Sequence, residues 1–222
     1  MKIILTGATG YVGEGVMLEL LRSQQVEKVL SVGRRSVKIE SYPLTEVEKA
    51  KLEEYIIPDF MDLKAGDKHF EGYDAVYFIA GITSVGTPKD VYQRISYDIP
   101  AHFADIMPHK DQMTYIYLSG AGTDPNGKQW WMPVKGATEN YIRTLGFRHA
   151  YAYRPALMRW AKGQKKLQKM QYIFFALYPL MRLLGLANNM TEMALSMLAC
   201  TRNQYPRFII NPRDITKLST TE

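Results

Sequence analysis

The chain has 222 residues, 46% hydrophobic and 23% charged, with a formal net charge of +6. That length suits one α/β domain spanning 1–222 with at most a small appendage, and the ordinary composition excludes disordered, low-complexity and fixed-period repeat architectures. A lone cysteine, Cys200, excludes an intrachain disulfide, and its apolar neighbours point to a packed thiol, not a nucleophile.

Lys2 to Leu5 is a short apolar run fit for a buried parallel strand, and Gly7, Gly10 and Gly13 follow it before the amphipathic run from Tyr11. Strand, glycine turn and helix in this order form a cradle for a dinucleotide pyrophosphate. Gly7 permits the tight turn, Gly10 the approach of a phosphate, and Gly13 close packing of helix on strand, while the first helical amides favour an anion. A helix is predicted over Tyr11 to Gln24 and a second strand over Val26 to Val32, running into Gly33-Arg34-Arg35. The tip of that strand meets the adenosine ribose in such folds: an acid there favours NAD, an arginine the 2′-phosphate of NADP. A guanidinium grips a phosphate dianion where a carboxylate cannot, so NADP is the expected cofactor; two solvated surface arginines are the alternative.

Ser36 to Lys51 reads as a loop or short helix, and a third strand is expected near Glu53 to Ile57, ahead of Pro58-Asp59-Phe60. A fourth strand, Ala75 to Ala80, ends in small residues that allow close backbone approach, and Thr83, Ser84 and Gly86 continue a polar loop. Asp90 to Met107 has helical spacing, with Val91, Ile95, Ile99 and Phe103 as one apolar side and Pro100 as a candidate kink. Strand five, Thr114 to Leu118, delivers Ser119; a helix follows around Trp131 to Leu145, then a sixth strand, His149 to Arg154, and the break at Pro155. Strand and helix alternation implies a doubly wound parallel Rossmann sheet, with Gly7, Arg34, Ala80, Ser119 and Arg154 emerging at one cleft. Beyond Pro155, residues 156–205 read as a helical segment on the substrate side. Thr191 to Cys200 is its last helix; a short strand, Arg207 to Ile210, and a turn into a C-terminal helix complete the chain.

Basic residues cluster at Arg34-Arg35 and at Lys162, Lys165, Lys166 and Lys169 with no nucleic-acid-binding motif nearby, so nucleic acid is not an expected partner. The stretch 162–187 begins basic and continues aromatic and aliphatic, interrupted by Pro179 and Arg182. It reads as a helix packed in the substrate cleft, with a peripheral contact on an anionic membrane as the alternative. The expected substrate or ligand is a small apolar molecule; oligomeric state is not legible. The first residues form a strand, so no signal peptide is expected and a cytoplasmic location follows by default.

Thr6-Gly-Ala-Thr-Gly-Tyr-Val-Gly13, Gly33-Arg-Arg35, Asp59-Phe60, Tyr97-Asp98, Leu118-Ser119, Val134-Lys-Gly136, Tyr153-Arg-Pro155 and Asp214-Ile215 together resemble the atypical or extended short-chain dehydrogenase/reductases, an epimerase- and dehydratase-like grouping. The nearest likeness is to its small NADP-binding oxidoreductases of the Tat-interacting type. The resemblance implies that Thr9, Gly10, Tyr11, Val12 and Gly13 hold the pyrophosphate, Arg34 and Arg35 the 2′-phosphate, and Asp59 and Phe60 the adenine. It places Ala80, Gly81 and Thr83 on the nicotinamide-ribose side with Lys135, and Pro155 and Leu157 at the carboxamide. It also implies catalysis by a serine and a Tyr-x-x-x-Lys pair. Ser119 and Lys135 are in place, but Trp131 stands where the tyrosine belongs, and an indole N–H has no proton chemistry at neutral pH.

Tyr141 is out of phase with Lys135 on a helix; of Tyr151 and Tyr153 on the sixth strand, Tyr153 is the better placed to enter the cleft as a rescue, although strand aromatics are more often core than catalytic. The four histidines are scattered and one cysteine cannot complete a zinc site, so no metal is expected. Two functions stand: an NADP-dependent oxidoreductase with a non-standard proton donor, and a catalytically silent NADP(H)-binding regulator or assembly factor with Trp131 packed over the nicotinamide pocket. A sugar-nucleotide epimerase or dehydratase needs the missing tyrosine and is less favoured.

Overall fold

The computed structural model describes residues 1–167 and 176–221. Its strands are β1 (Lys2–Thr6), β2 (Lys28–Gly33), β3 (Leu52–Ile56), β4 (Ala75–Phe78), β5 (Thr114–Leu118), β6 (His149–Tyr153), β7 (Leu157–Arg159), β8 (Ala187–Asn189) and β9 (Ile209–Ile210). Seven pair in parallel in the order β3-β2-β1-β4-β5-β6-β9. The order reverses between β1 and β4, the switch point at which a crevice opens beyond the strands' carboxyl ends.

The helices are α1 (Tyr11–Arg22), α2 (Glu46–Lys49), α3 (Lys89–Gln93), α4 (Ile99–Asp105), α5 (Trp131–Arg143), α6 (Tyr178–Leu183), α7 (Met190–Arg202) and α8 (Pro212–Leu218). Strand periodicity sorts side chains onto two faces. Ile3, Leu5, Tyr77, Ile116 and Tyr153 pack in one core with residues of α1, α7 and α8, and Ile4, Phe78, Tyr115 and Tyr117 in another with residues of α4 and α5. Both faces are covered, as near-continuous apolar strands in a parallel sheet require.

Three expected elements differ. The helix over Asp90 to Met107 is broken into α3, a π-turn over Arg94–Asp98, and α4. Pro100 has no N–H to give the Ser96 carbonyl, and that oxygen instead accepts Tyr117 Oη at 3.0 Å and Thr138 Oγ1 at 2.6 Å. The turn also rotates the helix face: Tyr92 and Ser96 are buried, whereas Val91, Ile95 and Ile99 line the cleft with Arg94. The fourth strand stops at Phe78 because the N–H groups of Ile79 and Ala80 donate to Thr6 Oγ1 at 3.0 and 3.1 Å, tying the ends of β4 and β1 together. The segment after Pro155 is not simply helical. It contains β7, which pairs with β8 in a separate two-stranded ribbon, and the part of it at 168–175 lies outside the described residues.

Candidate functional site: a cleft at the switch point

A cleft of about 720 Å³ lies over the carboxyl ends of β1, β2, β4 and β5, within the range of about 300–1,000 Å³ usual for ligand sites. Its floor is the glycine turn, with Gly7 at φ +76° and Gly10 at the N-cap of α1. A Cβ on Gly7 would lie 2.7 Å from the Ala80 nitrogen, and one on Gly13 would lie 2.0 Å from the Gly7 carbonyl oxygen. Bare backbone is therefore a steric requirement on both sides of the turn. Gly10 gives α1 no side-chain cap, so the positive end of a twelve-residue helix faces the cleft. This cradle fits a pyrophosphate.

At one end stand Arg34 and Arg35, both exposed, with Asp59 and Phe60 opposite. Asp59 accepts the Met61 N–H at 3.0 Å and pairs with Arg94 at 2.6 Å; these contacts, with Arg34 nearby, hold its carboxyl below the usual range. Glu54, beside the arginine turn, is engaged by Ser36 Oγ at 2.9 Å and the Val37 N–H at 2.6 Å. At the other end Ala80, Gly81 and Thr83 meet Leu118, Ser119 and Lys135. Ser119 Oγ and Thr123 Oγ1 are 3.0 Å apart. The half-buried Lys135 donates from Nζ to the Leu118 carbonyl at 3.3 Å and lies 5.2 Å from the centre of the Tyr117 ring. Burial pulls its ammonium down to about 8, against the opposing pull of Glu139.

The structure thus gathers Gly7, Thr9, Gly10, Tyr11, Val12, Gly13, Arg34, Arg35, Asp59, Phe60, Ala80, Gly81, Thr83, Ser119 and Lys135 on one cleft. It leaves out Pro155, Leu157 and Arg154. The Pro155 carbonyl accepts the Ala121 N–H, Leu157 is drawn into the β7–β8 ribbon, and Arg154 grips Glu139 with both arms of its guanidinium, at 2.9 and 2.5 Å. Among the described residues none of the lining comes from 156–205. α6 is instead held by Arg182 to Glu192 on α7, and no described helix is long and apolar enough to cross a membrane.

The tyrosine rescue also fails. Tyr153 points to the α1/α7 core, fully buried beside Cys200, because strand parity places it on the sheet face opposite Tyr117. Tyr141 donates to the Asp105 carboxylate at the surface, and Trp131, one turn before Lys135, is not part of the lining. Sequence reasoning missed Thr6, whose hydroxyl joins two strand ends, and the wall of Val91, Arg94, Ile95 and Ile99. For the latter the apolar stripe at helical spacing was legible, but not which way it faces.

The sequence model of the 3-beta hydroxysteroid dehydrogenase/isomerase family matches residues 4–156. The chain belongs to that family. Rat Protein HTATIP2 is 24% identical over 157 residues, 71% of this chain and 62% of the rat protein, so this chain matches less than two thirds of that relative's length. Mitochondrial protein FMP52-1 of Scheffersomyces stipitis is 26% identical over 159 residues, 71% of this chain and 67% of the fungal one. UDP-glucuronic acid 4-epimerase from Bacillus cereus, solved with NAD, superposes with a TM-score of 0.67 at 14% identity, covering 95% of this chain and 76% of the epimerase. A short-chain dehydrogenase from Streptomyces avermitilis gives 0.65 at 14% identity over 97% and 90%. The structural likenesses show the fold, and the family is an NAD(P)-binding, epimerase-like branch of the short-chain dehydrogenase/reductases, as the sequence motifs implied. The cytoplasmic default is corrected: the fungal relatives, FMP52 of Saccharomyces cerevisiae included, are mitochondrial by name.

Proposed function

We propose that this chain is an NADP(H)-dependent oxidoreductase acting on a small carbonyl compound or alcohol. One observation supports the cofactor choice: Arg34 and Arg35 line the cleft beyond the tip of β2, while Glu54 beside them is spent on Ser36 and Val37 and Asp59 is paired with Arg94. In this reading Thr9 to Gly13 hold the pyrophosphate, the two arginines the 2′-phosphate, and Asp59 and Phe60 the adenine. Lys135 holds the nicotinamide ribose and Ser119 orients the substrate oxygen. The cofactor supplies hydride when bound. The apolar residues Val91, Ile95 and Ile99 shed water from the cleft and suit an apolar ligand. The catalytically silent NADP(H)-binding regulator is the rival reading, favoured by the absence of a phenol one turn before Lys135.

Titration with NADPH and NADH, wild type against Arg34→Ala/Arg35→Ala, tests the cofactor. Each charge-assisted contact contributes about 1.5–3 kcal/mol, so NADPH affinity should fall at least about tenfold in the double variant while NADH affinity holds. Equal affinity for both nucleotides in wild type refutes the arginine assignment.

A second reading, compatible with the first, is peripheral contact with an anionic membrane through 162–187. Leu180 and Leu183 on α6, with Leu177 and Leu184 beside it, are exposed, Leu183 by 84%. Lys162, Lys165 and Lys166 precede them. Sedimentation with phosphatidylserine vesicles at low and high salt checks this; protein that stays in the supernatant at low salt rules it out.

A further inference from the structure

An oxidoreductase at this cleft, the reading on which this inference rests, lacks its usual proton donor. Six ionisable side chains line the cleft among the described residues. Arg34, Arg35 and Arg94 do not release protons at neutral pH. Asp59 is held ionised at the adenine end. Tyr11 donates its hydroxyl to the Met158 carbonyl at 2.7 Å. Lys135 remains, on the wall that also carries Ser119, with its ammonium given to one backbone carbonyl at 3.3 Å.

Two charges stand behind it, one buried and one half-buried. Glu139, 3% exposed, follows Lys135 by one helical turn on α5, where side chains at that spacing meet. Left alone, its carboxylate would draw the Lys135 ammonium into an ion pair, and an ion-paired lysine is a weak acid. Arg154, on the residue after β6, prevents this by occupying both carboxylate oxygens, at 2.9 and 2.5 Å. A guanidinium fork can saturate a carboxylate in this way, and a lysine could not. From β5 the neutral Tyr117 ring faces Lys135, with its own hydroxyl turned to the Ser96 carbonyl.

We propose that Lys135 itself supplies the proton for carbonyl reduction, and that Arg154 is its positioning residue, holding the Glu139 carboxylate out of an ion pair with it. The lowering of the ammonium to about 8 by burial agrees with a group that can both hold and give a proton near neutral pH. Lys135 Nζ gives one proton to the carbonyl oxygen as the carbonyl carbon accepts hydride from NADPH. The C=O π pair becomes the new O–H bond, NADPH leaves oxidised, and the neutral amine regains its proton from water.

The test measures the titration of Lys135 in the whole chain by trace acetylation with acetic anhydride across pH, read by mass spectrometry. NADPH-dependent reduction of 9,10-phenanthrenequinone is measured in parallel. Wild-type Lys135 should titrate near 8. Arg154→Met should raise that midpoint by about one unit or more, cutting labelling at pH 8 severalfold, and Glu139→Gln should lower it. Glu139→Gln leaves no orphaned carboxylate and keeps the test open if Arg154→Met fails to fold. The alkaline limb of quinone reduction should move with the midpoint in each variant, and Lys135→Met should abolish it. A midpoint above 10 in wild type, a midpoint unmoved by both substitutions, or no reduction by NADPH-bound wild type overturns the proposal and leaves the cofactor assignment intact. Failure of NADPH to bind overturns the oxidoreductase reading, and the donor role falls with it.

Discussion

Gly13→Ala isolates the steric logic of the cradle. The added methyl would sit 2.0 Å from the Gly7 carbonyl oxygen and 2.5 Å from its carbon, so the turn must move by more than 1 Å to reach the ordinary contact of 3.4 Å. Both partners are backbone, and no rotamer change relieves them. Overpacking costs about 1–3 kcal/mol, here at the upper end, while alanine in the first turn of α1 returns about 1 kcal/mol over glycine. The net loss is about 2 kcal/mol, which lowers Tm by about 4–8 °C in a chain of this length. Gly10→Ala is the control, since its methyl meets the same oxygen at 3.3 Å. It should leave stability within about 0.5 kcal/mol and weaken only NADPH binding. Thermal denaturation followed by circular dichroism reads both. A Gly13→Ala protein melting within about 1 °C of wild type would show that helix and turn are not packed as described.

Tyr153→Phe should leave NADPH affinity and quinone reduction unchanged, because the ring lies in the core on the other face of the sheet; a lost activity would return Tyr153 to the site. Burial pushes the Cys200 thiol up to about 12, so native protein at pH 8 should resist iodoacetamide and react once unfolded in urea. Fast alkylation of the native chain would contradict the buried position. For Lys135 the folded-state value of about 8 lies below the ordinary 10.5. The unfolded chain therefore binds the extra proton between those values, and stability relative to Lys135→Met should rise as pH climbs from about 8 to 10.5. Urea unfolding across that window reads the slope, and a falling difference would reverse the sign of the shift.

The pyrophosphate cradle and the arginine turn were legible because each is local: the turn, the helix start and the strand tip lie within a few residues of one another, and their chemistry reads off residue type. The π-turn was not. Pro100 announced a break, but the rotation that turns Val91, Ile95 and Ile99 toward the cleft depends on Tyr117 and Thr138, distant in sequence, capturing the Ser96 carbonyl. The position of Tyr153 was not decidable from sequence for a related reason. Its side of the sheet is set by strand parity, and one residue along β6 separates cleft from core. The Arg154–Glu139 pair joins a strand end to a helix fifteen residues apart, with no spacing rule to signal it. The β7–β8 ribbon pairs segments about thirty residues apart through an apolar stretch that periodicity alone reads as helix.

Where family similarity ends and where the folding unit ends are different places in this chain. The shared pattern stops at residue 156, yet Met190, Met193, Met197, Ile215 and Leu218 beyond it complete the core over Ile3, Leu5, Tyr77 and Tyr153. The fastening is polar as well as apolar: the buried Glu14 carboxylate, one turn inside α1, receives the N–H groups of Lys165 and Lys166 at 2.8 and 2.6 Å and the Tyr42 hydroxyl at 2.7 Å. The helix that offers its N-terminus to an anion is thus gripped from behind by the part of the chain that the family pattern does not describe. A fragment cut at the similarity boundary would keep every cradle residue and lose the wall that holds α1 at its angle to the sheet. Divergence in that wall is a route by which relatives with the same glycines can come to differ in how firmly they hold a nucleotide.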